Sequence, residues 1–144
     1  MPIGQARFHV TLHAIGEYAE LPPEAIAEIG EAVSAIEMPP FLNTFNCAMS
    51  FRHPERRPLV LRGDDGVTGL MMLQNQLVTA LRRVGFARPN EPEFTPYLTL
   101  LRDKRLVREQ AVEEISWMVH EMVLVRSLYG LSCHVPLARW KLPG

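Results

Sequence analysis

The sequence predicts an α+β fold of mostly antiparallel strands. Three observations carry this: strand-like segments outnumber helical ones, two helical stripes stand apart among them, and the strand connections near 51–58 and 128–134 are short. Short connections suit antiparallel pairing, whereas parallel neighbours need a crossover of a dozen or more residues. The 144 residues, 47% hydrophobic and 22% charged, suffice for a real core and fit one domain over 1–144, with no Gly/Ser linker to divide it.

The elements follow in order. Residues 7–15 are rich in apolar and β-branched side chains and read as a strand. Pro22-Pro23 opens a helix, as proline can in a first turn, and Ile26, Ile29, Val33 and Ile36 recur at helical spacing. Residues 41–51 form a strand with mixed faces, and 58–62 a short apolar one. Asp64 or Asp65 is placed to cap the next helix, whose stripe runs Val67, Leu70, Met71, Gln74, Leu77, Val78, Leu81, with Gly85 just past its end. A strand at 94–101 leads into a charged loop at 102–109. Strands at 115–128 and 134–142, joined by a turn around Tyr129-Gly130, finish the chain.

Composition narrows the function classes. Fifteen Lys+Arg against sixteen Asp+Glu leave a net charge of −1, which disfavours a broad electrostatic grip on long nucleic acid. Only Lys104 and Lys141 are lysine, so thirteen cations are arginine, the residue whose planar fork suits phosphate; coding bias explains that excess equally well. Cys47 and Cys133 lack metal spacing and read as free thiols of a reducing cytoplasm. No apolar run approaches the ~18 residues of a membrane span, and the first residues lack a signal pattern, so a cytoplasmic protein without a membrane partner is expected.

Two segments eighty-eight residues apart share a pattern: His9-Val10-Thr11-Leu12 and Tyr97-Leu98-Thr99-Leu100. On a strand, alternation sets His9, Thr11 and His13 on one face and Tyr97 and Thr99 on one face. Each segment thus offers a ring beside a hydroxyl, a pairing suited to proton transfer next to a hydrogen-bonded phosphate. The bland reading, a surface or satisfied core histidine, fits either segment taken alone.

The wider context adds to this. The run from Phe8 to Glu17 resembles the first motif of the bacterial 2′–5′ RNA ligase family, RNA 2′,3′-cyclic phosphodiesterases within the two-histidine phosphoesterase superfamily. Phe94-Thr95-Pro96-Tyr97-Leu98-Thr99-Leu100 resembles the second motif, normally Phe-Thr-Pro-His-x-Thr-Leu. Val123-Leu124-Val125-Arg126-Ser127 and Val135-Pro136-Leu137-Ala138-Arg139-Trp140 are similar to its C-terminal strands. The resemblance implies a bilobal fold with mostly antiparallel sheets facing a central cleft, each lobe supplying one motif. It also implies hydrolysis of a 2′,3′-cyclic phosphate of RNA or a nucleotide to a 2′-phosphate, reversible RNA joining in some members, and no metal or organic cofactor. His9, Thr11 and Thr99 match by position. One motif histidine would take a proton from water, the other would protonate the leaving oxygen, and the threonines would hold the phosphate.

Two departures qualify that reading. Tyr97 stands where the family has its second histidine; phenols ionise near 10 and imidazoles near 6.5, so a tyrosine there donates a hydrogen bond but is a poor general base. His13, His53 and His134 are weak substitutes for the missing imidazole. Second, a strand and helix precede Tyr97 while only eight residues precede His9. The first lobe is therefore expected to lack an opening strand and helix, and self-association into a homo-oligomer is expected to cover the exposed edge. Among the cations, Arg102 falls where relatives place a phosphate-side arginine. Strict alternation puts it on Leu98's face, and only a bulge or the strand's end turns it. Arg126 lies within an apolar strand, where a buried charge needs a salt bridge or a phosphate. Phe8, Phe51 and Tyr129 are candidate base stackers or simple core. The alternative to a cyclic phosphodiesterase with catalytic His9 and Tyr97 is a non-catalytic binder of RNA or nucleotide phosphate.

Overall fold

The computed structural model describes residues 9–16, 21–51, 57–91, 93–103, 106–128 and 133–143. The elements run α1 (Pro23–Ser34), β1 (Phe41–Ser50), β2 (Arg57–Arg62), α2 (Thr68–Arg83), β3 (Leu98–Asp103), β4 (Gln110–Val119), β5 (Glu121–Leu128) and β6 (Cys133–Lys141). The α+β class holds. One sheet has the order β3-β2-β1-β4 and a second pairs β5 with β6. The β1–β2, β2–β3 and β5–β6 pairs are antiparallel. Contacts of Ser50 with Val107, Cys47 with Glu109 and Thr44 with Ser116 run in opposite senses along the chain, so β4 is antiparallel to β1 as well.

The chain divides into two compact units of interleaved segments: Met1–Leu12, Leu42–Met71 and Phe94–Trp117 make one, and His13–Phe41, Met72–Glu93 and Met118–Gly144 the other. The first holds the four-stranded sheet. Phe45, fully buried on β1, meets Trp117 of β4 edge-on with ring centroids 5.2 Å apart. Aromatic pairs favour this geometry, which sets the positive ring edge against a negative face. In the second unit α1 buries Ile29, Ala32 and Val33.

Both helices owe their ends to local sequence. Pro22 stands extended before α1, and Pro23 supplies a φ already suited to the first turn. At the end of α2, Phe86 N–H donates to Leu81 O at 2.9 Å and Gly85 N–H to Arg82 O at 3.3 Å, while Gly85 takes φ +88°. That double bond satisfies orphan carbonyls through a left-handed residue that favours glycine. Asp64 and Asp65 do not take the cap position of α2. Both are exposed in the preceding bend, and the carbonyl of buried Val67 accepts the first helical bond, from Met71 N–H.

Other differences from the expected elements have physical causes. Residues 9–16 belong to no strand; β-forming composition makes a strand only where a neighbour takes its backbone groups. The strand of 94–101 begins later, at Leu98, after buried Pro96. The strand expected over 115–128 is two strands in two sheets, broken at His120. Residues 110–114 extend β4 although their sequence, Gln-Ala-Val-Glu-Glu, shows no strand alternation; most of that strand is exposed, so burial imposes no apolar alternation on it. The turn at 129–130 lies outside the described residues.

Candidate active site

The first unit carries the shared pattern. His9 and Thr11 lie in its segment Met1–Leu12, and Tyr97 and Thr99 in Phe94–Trp117. His9 and Thr11 are exposed, and Thr99 is half-buried. His9 makes a further interaction of its own. Tyr97, 36% exposed, packs its ring edge-on against Phe51, centroids 4.9 Å apart. Phe51 therefore supports the Tyr97 ring.

Register defines the face these residues share. Val60 of β2 stands opposite both Thr99 of β3 and Met49 of β1, and Arg62 opposite Cys47. Directly opposed residues project to the same side of a sheet, as do alternate residues of one strand. One face therefore carries Cys47, Met49, Val60, Arg62 and Thr99. Its contacts agree: Arg62 Nη1 donates to Met49 Sδ at 3.3 Å, and Cys47 Sγ to Glu109 Oε1 at 3.6 Å.

A bulge then changes the count along β3. Leu59 pairs with Leu101 but Val60 pairs with Thr99, so Leu100 is an extra residue with no partner on β2. The extra residue inverts the alternation beyond it. Position 102 pairs with Pro58, two residues from Val60, so it comes onto Thr99's register face and not Leu98's, the reverse of strict alternation.

Other candidates belong to the second unit. His13 belongs to the second unit, where its Nε2 donates to Phe86 O at 3.0 Å; the ring is committed to the turn after α2. Arg126 is exposed on β5, not buried as its apolar neighbours suggested, because a two-stranded ribbon leaves its residues open to water. Phe8, Tyr129 and His53 lie outside the described residues. Among those described, no three His, Cys, Asp or Glu side chains converge as metal ligands, and no helix is long and apolar enough to cross a membrane. Burial, followed by the hydrogen bond to Glu109, pushes the Cys47 thiol above its ordinary pKa. In the second unit, the Arg88 backbone N–H holds the Glu91 carboxyl below the usual range.

Sequence reasoning missed Arg62. A cation ending a short apolar strand reads as a solvated edge, and only the pairing reveals that it shares Thr99's face.

Comparison with known proteins gives consistent matches. The RNA 2′,3′-cyclic phosphodiesterase of Archaeoglobus fulgidus is 32% identical over 97 residues, 67% of this chain and 52% of that protein. The chain thus spans about half the length of that curated relative. E. coli LigT complexed with 3′-AMP superposes with a TM-score of 0.76 at 26% identity, over 99% of this chain and 81% of that one. The protein TT0787 of Thermus thermophilus shares the fold, with a TM-score of 0.77 at 19% identity over 98% and 81%. Residues 2–130 match the model of the 2′-5′ RNA ligase superfamily, a span that includes both His/Tyr-x-Thr segments, and the chain belongs to that superfamily.

Proposed function

We propose that this protein is a phosphoesterase acting on a 2′,3′-cyclic phosphate at an RNA end or on a nucleotide, opening it to a 2′-phosphate. The observation that carries the reading is the family match running unbroken through both motif segments. The cyclic phosphodiesterase activity named for the archaeal relative and the nucleotide bound by LigT support the same chemistry. In this reading His9 transfers the proton, Thr11 and Thr99 donate hydrogen bonds to the phosphate oxygens, and Arg102 supplies positive charge to the phosphate. Tyr97 donates a hydrogen bond in place of a second imidazole. A lone proton-transfer group leaves the enzyme short of the roughly 10²–10⁴-fold that a second acid or base contributes.

The test is turnover of a 2′,3′-cyclic nucleotide, followed by phosphate-sensitive chromatography. Wild type is expected to form the 2′-phosphate, His9→Ala to lose at least about a hundredfold in rate, and Tyr97→His to gain. Turnover indifferent to His9→Ala overturns the mechanism. Phosphate binding without turnover would instead favour a non-catalytic phosphate-binding protein.

A further inference from the structure

Phe51 has no role in the chemistry above, yet the chain is firmly held where it stands. Its N–H donates to Pro58 O at 3.0 Å, which carries the β1–β2 ladder one step past Ser50. The Ser50 N–H donates to Val107 O at 2.9 Å, in the segment that leads into β4. The end of β1 is thus tied on both sides, and Phe51 itself is half-buried.

Tyr97 is in the opposite situation. β3 begins one residue later, at Leu98, whose partner is Leu61. Tyr97 therefore stands outside the ladder, and strand alternation alone does not aim its ring. Its hydroxyl has no hydrogen-bond partner among the described residues. The edge-on contact with Phe51, at an interplanar angle of 72°, is the one aromatic contact its ring makes among them. A phenol carries its polar atom at the far end of the ring, farther from the backbone than either imidazole nitrogen. A given swing about the side-chain torsions displaces it more.

We propose that Phe51 is a positioning residue for the reaction: its ring holds the Tyr97 phenol in one orientation, so that the hydroxyl stays aimed as a donor to the reacting phosphate. This rests on the reading that Tyr97 donates that hydrogen bond. An edge-on aromatic pair is worth more than the area it buries, so it can fix a ring that is partly open to water. Misplacing a group that acts in the transition state lowers the rate more than the affinity, which puts the contribution of Phe51 in kcat. The contribution also depends on the phenol, because support for a hydroxyl is worth nothing once the hydroxyl is gone.

Steady-state hydrolysis of adenosine 2′,3′-cyclic phosphate tests this in a cycle of wild type, Phe51→Leu, Tyr97→Phe and the double variant. Phe51→Leu is expected to lower kcat about three- to tenfold, the worth of one aromatic pair, and to leave KM within about twofold. In the Tyr97→Phe background the same change is expected to cost nothing more. Phe51→Tyr, which keeps the ring, is expected to retain most of the wild-type kcat. An equal loss in both backgrounds overturns the proposal, since it makes Phe51 structural; so does a loss confined to KM, or no loss. Should Phe51→Leu fail to fold, Phe51→Met takes its place in the cycle. Ring-proton NOE contacts between Phe51 and Tyr97 are required in wild type, and their absence overturns the proposal by itself. Turnover with an additive cycle keeps the hydrolase and removes the role of Phe51. No turnover in wild type removes the hydrolase, and the same cycle read on the Kd of adenosine 2′-monophosphate then decides: coupling keeps Phe51, while additivity or an absence of binding removes it.

Discussion

Cys47 is 6% exposed on β1, with its thiol donating to Glu109. Burial penalises the thiolate and the hydrogen bond favours the thiol, so both raise its pKa over the opposing pull of Arg62. A thiol whose folded pKa lies above its unfolded one stabilises the fold fully below the unfolded value. That contribution is lost as pH rises from there through the folded value. The thiolate is the reactive species. Site-resolved iodoacetamide labelling at pH 8 is therefore expected to modify Cys47 at least about tenfold more slowly than a cysteine in a short peptide. Equal rates would show that the thiol is neither buried nor bonded. Residue chemistry of this kind was only partly legible in the sequence. The His9/Thr11 and Tyr97/Thr99 pattern could be read from spacing and family likeness. The sulfur contact of Arg62, the Tyr97–Phe51 pair and the commitment of His13 to Phe86 depend on tertiary neighbours that no local pattern encodes.

Elements in this chain are set by how closely their backbones approach. In unit one, a Cβ added at Gly66 would stand 2.6 Å from Thr44 Cβ and 2.8 Å from its carbonyl oxygen, where Thr44 N–H also donates to Gly66 O. At Gly30, inside α1, the added methyl would meet the Trp140 indole at 3.5 Å, ordinary van der Waals contact. Gly66→Ala is therefore expected to cost about 1–3 kcal/mol, because backbone must move. Gly30→Ala is expected to stabilise by about 0.5–1 kcal/mol by removing the entropic cost of a helical glycine. Urea unfolding of the two variants checks the opposite signs. The helices were legible because their stripes and stops are local: Ile29 and Val33 in α1, Leu70, Leu77 and Leu81 before Gly85 in α2. The strands were legible only where one face is buried. The unpatterned residues 110–114 hid the start of β4, and the β-branched and apolar residues of 7–15 promised a ladder that residues 9–15 do not form.

The two units exchange the chain at several points, and three continuous elements cross the division: β1 enters unit one after Phe41, α2 enters unit two after Met71, and β4 after Trp117. Neither unit is a contiguous stretch of chain. A single cooperative thermal transition is expected, with calorimetric and van't Hoff enthalpies in agreement; two resolved transitions would show independent folding. The α+β class and the antiparallel pairing were legible at this scale, because they follow from element order and loop length. The division into units was not, since it depends on which distant segments pack together. Leu100 makes the stakes of pairing concrete. Were Leu100 drawn into the ladder instead of left over, everything downstream on the strand would trade sides, and position 102 would leave the register face of the motif's threonine.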